Sequence, residues 1–66
     1  MKPKYWWIKE RHNPQIGVYY IAEGQITVKE ARAIENTVYG TNYVHRFDTK
    51  EAYLAACEQW EIGGPT

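Results

Sequence analysis

Serine is missing from this chain altogether, and cysteine occurs once, at Cys57. The first absence removes serine-nucleophile mechanisms. The second excludes an internal disulfide framework and fits a reducing, cytoplasmic setting. No apolar run approaches the roughly 18 to 20 residues that span a bilayer, and the start, MKPKYWWIKE, lacks the apolar centre and small-residue cleavage site of a signal peptide. No membrane partner is expected. No glycine-rich phosphate loop is present either: Gly17, Gly24 and Gly40 stand alone and read as turn glycines. His12, His45 and Cys57 do not make metal-ligand spacing, and no third or fourth soft ligand exists for zinc, so neither a metal nor a cofactor is expected.

Net charge is absent as well. Eight basic and eight acidic residues cancel, which argues against an electrostatic nucleic-acid footprint. The distribution is polar, however. Lys2, Lys4, Lys9 and Arg11 outnumber Glu10 at one end, and Asp48, Glu51, Glu58 and Glu61 outnumber Lys50 at the other, so the two ends are expected to lie close and neutralise each other.

Catalysis finds little support in what remains. Cys57 sits among alanines in a helical pattern, where a small buried hydrophobe is expected in place of a reactive thiolate. Glu30, Glu35, Glu51, Glu58 and Glu61 fall where capping and solvated helix faces explain them. A chain of 66 residues also leaves little room for a preorganised pocket. No catalytic residue is assigned.

What the chain has in quantity is aromatic area: three Trp, six Tyr and one Phe in one small domain spanning residues 1–66. A domain of this size buries only roughly 60% of its unfolded surface, so each large ring matters to stability. With 44% hydrophobic and 24% charged residues, the composition is that of a folded protein and not of a disordered one.

Residues 4–11 and 17–22 are rich in aromatic and β-branched types and read as strands. Asn13-Pro14-Gln15-Ile16-Gly17 between them carries turn chemistry, giving a hairpin with a loop of about five residues. Thr27 with Glu30 three positions on forms a capping-box pattern, and Val28, Ala31, Ile34 or Glu35, and Val38 recur at helical spacing, so a short helix is expected over Val28 to Asn36 with Gly40 as its stop. A third strand follows over residues 41–48. Asp48 and Thr49 then compete as N-cap of a second helix over residues 50–61, striped by Tyr53, Ala56 or Cys57, and Trp60. The glycines and proline at 63–65 end it in a tail, 63–66, expected to be flexible.

The order is β-β-α-β-α, an α+β fold. The simplest packing is a three-stranded antiparallel sheet with both helices on one face, leaving the other face open. Strand alternation puts Trp6 and Ile8 on one face with Val18, Tyr20 and Ala22, and these are assigned to the core. Tyr5, Trp7, Lys9, Arg11 and Tyr19 then form an open face, with His45 and Arg46 as neighbours. Tyr43 is an alternative to His45 there. Trp, Tyr and Arg are the residue types that dominate protein interfaces, so this set is the expected binding face.

Two resemblances bear on the reading. The runs 4-KYWWIKERHNPQIGVYYIAEGQ-25 and 38-VYGTNYVHRFDTKEAY-53 resemble small accessory proteins of tailed bacteriophages and prophages, a class whose members bind host enzymes or defence complexes, anti-CRISPR proteins among them. That resemblance implies a class and transfers no residues. Locally, Gly17-Val18-Tyr19 followed after a helix by 40-GTNYVHRFDTKEAYLA-55 is similar to the N-terminal hybrid-binding domain of type 1 ribonucleases H. Phe47 and Thr49 match its Phe-x-Thr ending, while His45 and Arg46 stand where that family has consecutive lysines.

The expectation is a non-enzymatic protein-binding module, in particular a phage-type inhibitor or modulator of a host protein complex in the host cytoplasm. A small nucleic-acid-binding domain, with stacking aromatics and Lys4, Lys9, Arg11 and Arg46 on phosphates, is one alternative. A self-assembling structural component is another, and a homodimer is compatible with the same face.

Overall fold

The computed structural model describes residues 3–37 and 39–62. Five elements follow in the order β1 (Lys4–Asn13), β2 (Gly17–Thr27), α1 (Val28–Glu35), β3 (Thr41–Phe47) and α2 (Lys50–Gln59). The strands form one antiparallel sheet in the order β2-β1-β3, with β1 at its centre. The α+β class, the sheet and the β-β-α-β-α order are those expected from the sequence.

Local chemistry explains most element ends. The Asn13 side-chain carbonyl accepts from the backbone N–H groups of Gln15 and Ile16, at 2.8 and 2.9 Å, and Gly17 supplies a positive φ of 110°, which together close the hairpin. Thr27 and Glu30 form the capping box in both directions. Helix α1 ends one residue earlier than the spacing implied, at an extended Asn36, and Val38 lies outside the described residues. Gly40 therefore does not stop the helix. Its φ is +84°, and a Cβ there would stand 2.5 Å from the carbonyl oxygen of His12, so it is the residue that lets the α1–β3 connection lie against the end of β1.

Thr49, not Asp48, caps α2, accepting from the Ala52 N–H. The helix ends in a Schellman motif: Ile62 N–H donates to the Cys57 carbonyl and Glu61 N–H to that of Glu58, with Glu61 itself at φ 54°. The stop expected at Gly63 thus falls earlier, and the 63–66 tail lies outside the described residues.

The helices do not share a face. Strands β2 and β3 both run antiparallel to β1 and are therefore parallel to each other, so the chain between them needs a crossover. Helix α1 makes that crossover on the side of Trp7, Arg11 and Asn42: the Trp7 indole donates to the Ile26 carbonyl just before α1, at 3.1 Å, and Asn42 Nδ2 donates to the Ile34 carbonyl at 2.7 Å. Helix α2 covers the opposite side, where Ile8, Tyr53, Ala56 and Cys57 form the core cluster with Trp6, Ala22, Phe47, Trp60 and Ile62 packed around it. A sheet with apolar residues on both faces buries more area between two helices than under a pair of them on one side.

Three burial expectations change with that arrangement. Ile8 is completely buried, as assigned, but Trp7 is buried too, with 6% of its surface exposed, because α1 roofs the face taken to be open. Val18 and Tyr20 share the face of Ile8 as assigned, yet they are 56% and 37% exposed, because α2 ends before it reaches them. Gly24 is no turn glycine but part of an irregularity within β2: Trp7 pairs with Gly24 and Ile8 with Ala22, so Glu23 is one residue too many, and Gly24 takes φ +78°. The extra residue resets the alternation, which puts Ile26 on the Trp7 side where α1 begins.

Candidate functional site

The residues expected to form a binding face are mostly on one side of the sheet, but they are engaged there. Tyr5 lies under the Arg46 guanidinium, whose carbon is 4.7 Å from the ring centroid. Arg46 also reaches Asp48 at 3.3 Å and is itself exposed. Lys9 pairs with Glu23 across the hairpin at 3.7 Å. Arg11 donates to Thr37 Oγ1 and Asn42 Oδ1, both at 3.1 Å, and to the Tyr39 carbonyl, so it clamps the α1–β3 connection onto β1. Trp7 is interior, and Tyr19, opposite Arg11, is half-buried. His45 does not belong to this group, since it pairs with Ile8 and faces α2; Tyr43, opposite Glu10, lies on that same side.

The two charged ends lie close, since α2 packs on β1, but direct ion pairs do not join them among the described residues. Among the described residues the ion pairs are Lys9–Glu23, Arg32–Glu35, Arg46–Asp48 and the Glu10–histidine contacts, none of which links residues 1–12 with 48–62.

The α2 side offers a different surface. Helix α2 begins near Trp6, where Lys50 Nζ stands 6.0 Å from the indole centroid, and ends at Trp60 above Tyr20 and His45. Beyond Trp60 the sheet continues by a row of residues that neither α1 nor α2 covers. There Val18 is 56% exposed and Tyr43 49%. The rings form a nearly continuous group: Tyr20 and His45 each lie 5.2 Å from Trp60, and His12 lies edge-on to Tyr43 at 5.1 Å. At the hairpin end an open depression of about 300 Å³ lies beside His12, bordered by Val18, Gly40 and Thr41.

At the centre of this surface sits Glu10. His12 Nε2 donates to its Oε2 at 2.5 Å, and His45 Nε2 donates to its Oε1 at 2.9 Å. Hydrogen bonding from His12, and next from His45, holds the Glu10 carboxyl below its ordinary range, against the opposing effect of partial burial. The arrangement ties β1 to β3 and fixes both imidazoles within the aromatic group. Among the described residues no set of three His, Cys, Asp or Glu has metal-holding geometry, and both nitrogens here are spent on one carboxylate. Cys57 is buried and free, in the α2 core as expected.

Sequence reasoning missed Glu10, His12 and Val18 as surface residues and put Tyr43 and His45 on the wrong side. The available signal was the alternation itself, since Ile8, Glu10 and His12 share a face by strand geometry. The register of β3, which brings His45 to Glu10, has no such signal. No protein-family model, no curated protein and no solved structure matches the chain. The two residues that carry the local likeness to hybrid-binding domains have roles in the fold: Phe47 packs edge-on to Tyr53 and Trp60, and Thr49 caps α2.

Proposed function

We propose that this chain is a non-enzymatic protein-binding module whose partner meets the part of the α2 side left bare beyond Trp60. The observation that carries the reading is the exposure of Tyr43 and Val18 next to a hydrogen-bonded Glu10–His12–His45 group, on the part of the sheet that α2 does not cover. Aromatics held in place lose little entropy on binding, and a fixed polar centre gives direction to a contact that apolar area alone would not orient. Nucleic acid is the weaker reading, because Lys9, Arg11 and Arg46 already have partners within the chain. The resemblance to phage accessory proteins supports a host protein or protein complex, met in the cytoplasm, as the partner class, with inhibition or modulation as the outcome.

Capture from host lysate tests the proposal when the wild type is compared with Tyr43→Ala, His12→Ala and, as a control on the exposed side of α2, Leu54→Ala. The expected result is a specific protein lost with the first two variants and kept with the third. A partner retained by Tyr43→Ala and His12→Ala overturns the assignment of this surface.

A further inference from the structure

The strand order leaves β2 as an edge, with β1 on one side only. Its two halves differ. Past Ala22 the edge is taken up: Glu23 is the extra residue of the irregularity, the Gly24 N–H donates to Tyr53 Oη at 3.2 Å, and the Ile26 carbonyl accepts from Trp7. Residues 17–22, GVYYIA, have none of the devices that protect an edge strand, for they contain no charge and no proline, and the irregularity comes only after them. Exposed apolar side chains flank this half on both faces, Val18 and Tyr20 on one and Ile21 on the other. The other edge, β3, is shorter and carries Arg46, paired with Asp48.

We propose that residues 17–22 of β2 pair with the same segment of a second copy of this chain, antiparallel across a two-fold axis, joining two three-stranded sheets into one of six. A strand that pairs with itself must present self-complementary side chains, and this one does. In a register centred on Tyr20, Val18 of one copy lies opposite Ala22 of the other, Tyr19 opposite Ile21, and the two Tyr20 rings meet at the axis. Glu23 falls opposite Gly17, so no like charges face each other. With eight basic and eight acidic residues in each chain, no net repulsion opposes the approach. Backbone groups that now face water gain strand partners, and the pairing leaves Tyr43, at the far edge of the sheet, free.

Sedimentation equilibrium of the intact chain over roughly 10 μM to 1 mM tests this, with Val18→Lys and Ile21→Lys placing a charge on either face of the edge. The expected result is reversible association from the 7.8 kDa monomer to a dimer, weakened about tenfold or more by each lysine, with Tyr43→Ala unchanged. Hydrogen exchange on the wild type needs no variant to fold: amide protection within residues 17–22 is expected to rise with protein concentration. A monomer persisting to about 1 mM, lysine variants that associate like the wild type, or concentration-dependent protection in β3 or α2 instead of β2, each overturns the proposal.

Discussion

Along β1 the α2 side of the sheet changes character within four residues. At Trp6 and Ile8 it is interior, with Tyr53, Ala56 and Cys57 packed on it and Ile8 fully enclosed. At Glu10 and His12 it is surface, with a carboxylate and two imidazoles among exposed rings. The difference comes from the length of the roof. Helix α2 has ten residues, about 15 Å of rise, and the Schellman motif at Glu61 turns the chain back before the last row of the sheet. One end of the sheet is thus packed under α2 and the other left exposed.

The sharpest test of this division is Trp7→Ala, which removes an interior indole together with its bond to the Ile26 carbonyl. A loss of about 4 kcal/mol is expected, enough to unfold a domain of this size in a denaturant titration. A near wild-type midpoint would return Trp7 to the surface. Gly40→Ala strikes where the α1–β3 connection meets β1; with φ at +84° and the His12 oxygen in the way, about 2 kcal/mol is expected to be lost by thermal unfolding. Glu61→Gly acts at the end of the roof. It relieves a positive φ on a non-glycine residue and should raise stability by about 1 kcal/mol, with α2 ending at the same place in amide exchange.

The exposed end should respond to pH more than to truncation. The folded-state Glu10 carboxyl lies below its ordinary value, so its contribution is fully present above the ordinary carboxylate range and is lost as pH falls through the folded-state value. Glu10→Gln should therefore flatten the acid limb of a stability-versus-pH profile while leaving the slope from the other carboxylates. An unchanged acid limb would mean that the two imidazole bonds do not persist in solution. The smallest effect is expected for Tyr43→Ala, within about 0.5 kcal/mol in stability. A large loss would make Tyr43 part of the core and erase the comparison.

Much of the fold was legible because it is local. Asn13 and Gly17 close the hairpin, Thr27 and Glu30 cap α1, and Tyr53, Ala56, Cys57 and Trp60 stripe α2, each through contacts within a few residues or a single period. Alternation also grouped Trp6 with Ile8 and Val18 with Tyr20 correctly. The site was less legible. Trp7 looked exposed only because the face opposite Ile8 was left without a helix, and Arg11, read as a contact residue, is spent on Thr37, Asn42 and the Tyr39 carbonyl. Neither follows from period or propensity.

The sequence by itself therefore determined the order of elements, the capping box of α1 and which residues share a face within each regular run of strand, since these depend on backbone geometry and near neighbours. Tertiary structure alone decided that α1 crosses over one face while α2 takes the other: with β1 between two parallel strands the β2–β3 connection must cross the sheet, and α2 packs on the apolar face that this crossover leaves bare. It also decided that Glu10 meets His45, thirty-five residues away, because the register of β3 against β1 is set by the packing of the whole sheet.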